Sequence, residues 1–171
     1  MGEQTEFDAN LDIPPGVLAG PPAETAATLF EAGFSCAESI IWTLATRLGA
    51  DVAEPQRLGA AFGGGMARCG LICGCLTGCA VAFGLLAGRV SRHDDERRDQ
   101  VYAALQRVLA EVERRHGSLD CRKLTGLDFS KPEDRQSFEY GVKQDVCIPL
   151  LELTTELAVE ELAALGVGRR P

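Results

Sequence analysis

Apolar residues recur at helical spacing along most of the chain, and no stretch alternates apolar and polar residues for long enough to predict a strand. The clearest pattern begins at Asp94 and stops at Gly117, with acidic residues in its first turn and basic residues in its last. One side of this segment is an apolar stripe made of Val101, Leu105, Val108, Leu109 and Val112. The pattern predicts a long amphipathic helix.

Start and stop signals predict two helices nearer the N-terminus. The first is predicted from Pro22 to a stop at Gly33. Ser35 is followed three residues later by Glu38, which is the spacing of a capping box. This pair predicts a second helix that begins directly after Ser35 and ends at Gly49.

A glycine-rich segment follows these helices. Pro55 predicts a short helix to about Phe62, and Gly63–Gly65 are expected to form a flexible approach to the next helix. Residues 72–88 are predicted to be helical, although each glycine costs about 1 kcal/mol of helix propensity relative to alanine. Small residues recur there every four positions, which predicts a close approach to another helix, to an inorganic ligand or to a second copy of the chain in a homodimer. These small residues are Gly74, Gly78 and Ala82.

The last third of the chain predicts two more helices. Ser130 and Glu133 repeat the capping-box spacing and predict a short helix to about Tyr140. The terminal helix is predicted to begin at Cys147, with Pro149 in its first turn. Together the patterns predict an all-α fold: one compact bundle of about six helices in residues 23–167, preceded by an irregular arm in residues 1–22.

Composition narrows the classes of function. A chain of 171 residues can bury a core without covalent cross-links. Its net charge of −8 argues against a nucleic-acid surface, which needs clustered Lys and Arg. No uninterrupted apolar run reaches the roughly 18–20 residues that a membrane helix needs, and no signal peptide is visible. We therefore expect a cytoplasmic protein with no nucleic-acid partner and no membrane span.

Seven cysteines in a reducing compartment suggest metal binding or redox chemistry more than a disulfide framework. Four of them lie at or near predicted helix starts, where the helix dipole and free amides favour a thiolate: Cys36, Cys73, Cys121 and Cys147. Another three lie in the glycine-rich segment, namely Cys69, Cys75 and Cys79. A buried cysteine is more often an inert small apolar residue, so simple core packing remains an alternative for each of them.

The spacing of the cysteines does not match a local metal motif. Within the glycine-rich segment they are paired four residues apart, unlike the C-x-x-C of a dithiol or a zinc knuckle, and no ferredoxin-type run is present. Any metal ligands must therefore come from distant segments, and thiolates favour iron–sulfur clusters, zinc or copper(I). His93 and His116 lie at highly charged helix ends and are expected to be solvated.

Five motifs in order resemble the C_GCAxxG_C_C family of redox-active proteins, over about residues 24–160. They are FSCAES at Phe34–Ser39, FGGGMAR at Phe62–Arg68, CGCLTG at Cys73–Gly78, CRKLTGLD at Cys121–Asp128, and the isolated Cys147. The resemblance assigns the four family cysteines to Cys36, Cys73, Cys121 and Cys147. The central family motif is CGAxxG, so Cys75 replaces its alanine, and Cys69 and Cys79 are additions. A related domain occurs in split-Soret cytochromes, which implies an iron–sulfur site, while the absence of a C-x-x-C-H motif gives no basis for haem.

Three functions follow from these observations. The leading hypothesis is a bacterial-type protein whose four family cysteines bind an iron–sulfur cluster or another soft metal, for electron transfer to an unidentified redox partner or for redox sensing. Cys69, Cys75 and Cys79 are further ligand candidates in this hypothesis. The first alternative is a metal-free thiol–disulfide oxidoreductase in which Cys36 is the low-pKa nucleophile and Cys73 or a neighbour resolves it. The second alternative is a non-catalytic module that binds zinc or copper, or a helical interaction protein.

Overall fold

The computed structural model describes residues 16–168, and its regular secondary structure is helical. The α-helices are α1 (Pro22–Glu31), α2 (Cys36–Leu48), α3 (Gly74–Ala87), α4 (Asp95–His116), α5 (Cys121–Thr125), α6 (Pro132–Ser137) and α7 (Ile148–Ala164). Short 3₁₀ turns cover Val17–Ala19 and Pro55–Gly59, and a π-helical segment, Phe138–Cys147, leads directly into α7. Within the described residues no strand forms beyond one isolated bridge between Ile72 and Asp120. The predicted all-α class is confirmed, and most of the predicted arm lies outside the described residues.

Local signals determine where α2 and α4 begin and end. The Ser35 side chain accepts a hydrogen bond from the Glu38 amide at 3.4 Å, and the Ser35 amide donates to the Glu38 carboxylate at 2.7 Å, so the predicted capping box is confirmed. Gly49 and Gly117 end α2 and α4 with φ of 75° in both cases. Glycine carries no Cβ, so it adopts this left-handed conformation without strain.

The second predicted capping box, at Ser130 and Glu133, is wrong. The N-cap of α6 is Lys131, and it makes no side-chain cap. The Ser130 hydroxyl instead donates to a carboxylate oxygen of Asp128 at 2.6 Å, and the Ser130 amide donates to the same oxygen at 3.1 Å. The Asp128 carboxylate thus holds the Ser130 side chain in a local turn instead of at the N-cap of α6.

The prediction that the α6 helix stops near Tyr140 is also wrong in part. The chain continues through the π-helical segment, and only Gly141, at φ 164° and ψ −52°, departs from helical geometry before α7 begins. The backbone is extended at this one residue, and the helical path resumes beyond it. The consequence for the site is that Cys147 lies at the end of a continuous helical path rather than after a loop.

The centre of the core is the contact between α2 and α3. A Cβ added at Gly78 would lie 3.0 Å from the backbone of Ala37, so the glycine is what lets the two helices approach. Around this contact the apolar side chains are fully buried, and each contributes about 1.5–3 kcal/mol relative to exposure. They include Ile40, Leu44, Leu76, Phe83 and Leu151. The predicted close approach is therefore confirmed within the chain, and α2 covers the face that a second copy would have used.

Helix α7 packs against α1, α3 and α4 and completes the bundle. No helix in residues 16–168 combines the length and the apolar character required to cross a bilayer.

Candidate functional site

Five cysteines line one cavity of about 650 Å³ at the end of the bundle where four helical elements begin. Cys36 is the first residue of α2, Cys73 is the N-cap of α3, Cys121 is the first residue of α5 and Cys147 directly precedes α7. Cys75, in the first turn of α3, is the fifth. Residues separated by more than a hundred positions in the sequence therefore meet around one space, as expected if the fold rather than a local motif assembles the site.

The thiols of Cys36, Cys73 and Cys75 are in hydrogen-bonding contact. Cys75 is buried and contacts both of the other two sulfurs. The hydrogen bond from Cys75 lowers the pKa of Cys73 against the opposing effect of burial, and the backbone amides of Cys75 and Leu76 contribute in the same direction. The hydrogen bonds with Cys36 and Cys73, together with burial, raise the pKa of Cys75 well above its usual value. Cys73 is thus the sulfur that ionises more easily, and Cys75 keeps its proton.

Cys121 and Cys147 lie on the same cavity in a less polar setting. Burial, with a smaller effect of neighbouring sulfur charge, raises the pKa of Cys121 to about 12. Burial likewise raises the pKa of Cys147 far above its usual range. Both thiols therefore carry protons at neutral pH unless a cation lies beside them.

The other two cysteines of the glycine-rich segment lie outside the cavity. Cys79 is fully buried one turn further along α3, and its Sγ donates to the Thr154 carbonyl of α7 at 3.7 Å. Cys69 is exposed, and its Sγ lies 3.9 Å from the Ala67 carbonyl. Of the three additional cysteines, the fold brings only Cys75 to the site. The two histidines, His93 and His116, are both exposed, as expected.

Gly63–Gly65, predicted to be a flexible approach to the next helix, enter a left-handed turn that extends to Arg68. The φ angles are 64° at Gly64, 71° at Gly65, 59° at Met66, 48° at Ala67 and 66° at Arg68. Each non-glycine residue in this conformation costs roughly 1–2 kcal/mol. We call residues 64–68 the left-handed turn.

Backbone hydrogen bonds hold the left-handed turn in place. The Ala67 amide donates to the Ala61 carbonyl at 2.9 Å, and the Arg68 amide donates to the Gly63 carbonyl at 2.9 Å. The turn lies on the cavity wall through Gly64, Ala67 and Arg68. The three glycines before Met66 are compatible with positive φ, but no sequence signal predicts it for the three residues after them.

Glycines also bring the backbone close to the sulfurs. A Cβ at Gly65 would lie 2.7 Å from the Cys121 Cβ, and one at Gly74 would lie 3.2 Å from the Cys36 Sγ. The amides of Gly63, Gly64 and Gly65 make no hydrogen bond to any other group in residues 16–168. These N–H groups are therefore not used by the fold.

In the part of the chain that the structure describes, no three His, Cys, Asp or Glu side chains are arranged to hold a single metal ion. The donors that line the cavity are mainly sulfur, with Glu38 held by its capping box and Glu139 within 3.3 Å of the Lys143 Nζ.

Comparison with known proteins gives one match. The model of a family described as "Putative redox-active protein (C_GCAxxG_C_C)" matches residues 34–161. Neither the curated proteins nor the solved structures contain a match to the chain. The matched range includes all five cysteines that line the cavity.

Proposed function

The chain belongs to the C_GCAxxG_C_C family of redox-active proteins, and from this we propose that its cavity holds an iron–sulfur cluster for electron transfer or redox sensing. The proposed ligands are Cys36, Cys73, Cys121 and Cys147. The observation that carries the proposal is that these four thiols, from four separate helix starts, line the same cavity. The proposal places the protein in a reducing compartment such as the cytoplasm, where thiols stay free.

The donor set fits an iron–sulfur cluster. Cysteine thiolates are the usual ligands of such clusters, and sulfur is the main donor on the cavity wall. When bound, such a group supplies one-electron chemistry. The unused amides of Gly63, Gly64 and Gly65 are available to donate to sulfur, a contact that tunes reduction potential.

The protons on the thiols make ligand binding depend on pH. The pKa of Cys73 is lowered by its hydrogen bonds, whereas burial holds protons on Cys121 and Cys147. Metal binding must release those protons, so affinity for iron should rise with pH.

Anaerobic reconstitution with ferrous iron and sulfide tests the proposal. The reduced chain should take up iron and acid-labile sulfide in equal amounts and acquire visible absorbance. Cys121→Ser should lose most of this uptake, while Cys69→Ser, which changes an exposed thiol outside the cavity, should retain it. A colourless, iron-free wild-type chain would refute the proposal, and one equivalent of zinc or copper(I) in the purified protein would favour a metal-binding module.

The contact of Cys75 with Cys36 and Cys73 favours a second candidate function, thiol–disulfide exchange. The Cys73 thiolate would attack a substrate disulfide, form a mixed disulfide and release one substrate thiolate. A second cavity thiol, Cys36 or Cys75, would then lose its proton, attack the Cys73 sulfur and release the other substrate thiolate, which leaves a protein disulfide. This assignment exchanges the roles expected from the sequence, since the hydrogen bonds favour a thiolate at Cys73.

Mass spectrometry after mild oxidation with a small disulfide tests the second function. It should detect one defined intramolecular disulfide that includes Cys73 and is absent from Cys73→Ser. The Cys79→Ala variant is the matched control, because Cys79 is buried in α3 outside the cavity. Random pairing among the seven cysteines would count against this function.

A further inference from the structure

Arg68 is a positive charge on the wall of the thiol-lined cavity with no carboxylate beside it. It lines the cavity, and no ion pair or side-chain hydrogen bond in residues 16–168 involves its guanidinium group. Arg122, which follows the cavity residue Cys121, instead pairs with Asp128 at 3.0 Å. Arg68 is therefore available to a ligand.

The backbone conformation that places Arg68 on the cavity wall is strained. Arg68 ends the left-handed turn at φ 66°, and its side-chain stem packs so closely over Gly64 that a Cβ added there would lie 3.1 Å from the Arg68 Cγ. Strained backbone of this kind persists only where the surrounding structure enforces it, and it is concentrated at binding and catalytic sites. The strain and the unpaired charge occur at the same residue.

The rest of the cavity suits a small organic molecule. Its volume of about 650 Å³ lies in the usual range for small-molecule sites, roughly 300–1,000 Å³. Three of the four phenylalanines on the wall pack edge to face, with centroids 6.1 Å apart for Phe30 and Phe138 and 5.4 Å apart for Phe129 and Phe138. Such a wall binds an apolar or aromatic body.

The other charged groups that line the cavity form no ion pair with Arg68 in residues 16–168. Arg135 donates only to backbone carbonyls, those of Phe129 at 2.9 Å and Ser130 at 3.1 Å. Glu38 accepts from the Ser35 amide at 2.7 Å, and Glu139 pairs with Lys143 at 3.3 Å. Both glutamates thus have partners, whereas neither Arg68 nor Arg135 pairs with a carboxylate among residues 16–168.

We propose that the cavity binds a small organic anion with an apolar or aromatic body, and that Arg68 holds the negative group of this ligand beside the thiols. A guanidinium group suits a carboxylate, sulfonate or phosphate, to which it presents two parallel N–H donors. The inference goes beyond the proposed cluster and does not depend on it, because it concerns which molecules enter the cavity.

Two aromatic disulfide reagents that differ in charge test the inference on the reduced, metal-free, full-length chain. One is the dianionic aromatic reagent 5,5′-dithiobis(2-nitrobenzoate), and the other is the neutral aromatic reagent 4,4′-dithiodipyridine. In each reaction a protein thiolate attacks the reagent disulfide, forms a mixed disulfide and releases one coloured thiolate or thione. All chains carry Cys69→Ser, because the exposed Cys69 directly follows Arg68 and would report on Arg68 from outside the cavity.

The ratio of the two second-order rate constants, anionic over neutral, is the measurement. Arg68→Gln should lower this ratio about tenfold, the loss expected for one charge-assisted contact. Arg68→Lys should retain part of the preference because it keeps the charge. Arg92→Gln is the matched control and should leave the ratio within about twofold, since Arg92 is an exposed arginine outside the cavity with no carboxylate partner in the described range.

The inference would be overturned by a ratio that Arg68→Gln leaves unchanged, or by an equal loss of both rates. If far-UV circular dichroism shows that Arg68→Gln does not fold, Arg68→Met, which also removes the charge, decides instead: an unchanged ratio in this folded variant overturns the inference. Because no iron is present in these reactions, a failed reconstitution would not affect the outcome.

Discussion

Cys73, the N-cap of α3, and Cys75, in its first turn, lie two residues apart, yet their thiols differ in how easily they ionise. Cys73 accepts a hydrogen bond from Cys75 and bonds from two amides of the helix start, so its thiolate is stabilised. Cys75 is enclosed by the other two sulfurs and by the core, so a charge there has no compensation. A cysteine that replaces the family's alanine thus has a direct electrostatic effect on a family cysteine.

Removing the Cys75 thiol should raise the pKa of Cys73. A hydrogen bond to a charged group contributes about 1–3 kcal/mol, so in Cys75→Ala the midpoint of Cys73 alkylation by iodoacetamide should move about one pH unit upward or more. Peptide mass spectrometry of samples alkylated across a pH series would measure the midpoint. Cys79→Ala should leave it unchanged, because Cys79 contacts the Thr154 carbonyl rather than Cys73. An unmoved midpoint in Cys75→Ala would show that the helix amides alone stabilise this thiolate.

Gly65 is the residue at which the backbone comes closest to a cavity cysteine. Gly65→Ala would place a methyl group 2.7 Å from the Cys121 Cβ and from the Leu71 carbonyl, in addition to the cost of φ 71°. We expect the free energy of unfolding to fall by about 2–4 kcal/mol, measured by urea denaturation. Gly117→Ala isolates the cost of backbone strain, because Gly117 has φ 75° and open space around its Cβ position, and it should lose only about 1 kcal/mol. Equal losses at the two positions would show that Cys121 moves aside freely.

At the scale of secondary-structure elements, sequence patterns predicted the helices well where the signal was local. The capping box at Ser35 and the stop at Gly49 set the limits of α2 through contacts within four residues. The predictions that failed depend on a side-chain hydrogen bond outside the helix or on tertiary contacts. The Ser130 side chain bonds to the Asp128 carboxylate and does not cap α6. Nothing in the sequence distinguishes Cys75, which reaches the cavity, from Cys79, which α7 covers.

The left-handed turn is the element that sequence patterns did not predict at all, because it violates local preference at three consecutive non-glycine residues. Ala67→Gly should therefore be neutral or stabilising by about 0.5 kcal/mol, since relief of strain at φ 48° offsets the added entropy of the unfolded chain. The same change at Ala110, which is exposed within α4, should destabilise by about 1 kcal/mol. Urea denaturation would measure the free energy of unfolding of both variants. A comparable loss of stability at the two sites would contradict the inference that the left-handed turn is strained.

At the scale of the whole molecule, the site joins residues from Cys36 to Cys147, and its chemistry is coupled to global stability. Four buried thiols have raised pKa values, namely Cys75, Cys79, Cys121 and Cys147. In the unfolded chain the same thiols ionise near their ordinary pKa of about 8.5. The folded protein therefore holds more protons than the unfolded chain above that pH, and its stability falls as pH rises. Cys73, whose pKa is lowered, acts in the opposite direction.

The free energy of unfolding of the reduced, metal-free chain should consequently decrease between pH 8 and pH 9.5, with a limiting slope of about 1.4 kcal/mol per pH unit for each thiol involved. Urea denaturation at a series of pH values would measure this slope. Cys147→Ala removes one of the four protons and should reduce the slope, whereas Cys69→Ser removes an exposed thiol and should not. Lysines and tyrosines titrate at higher pH and are the same in both variants. The difference between the two slopes therefore measures the contribution of the Cys147 thiol. A slope identical in both variants would mean that water reaches the Cys147 sulfur in the folded protein, and the cavity would then be open to solvent at the end of the bundle where the thiols meet.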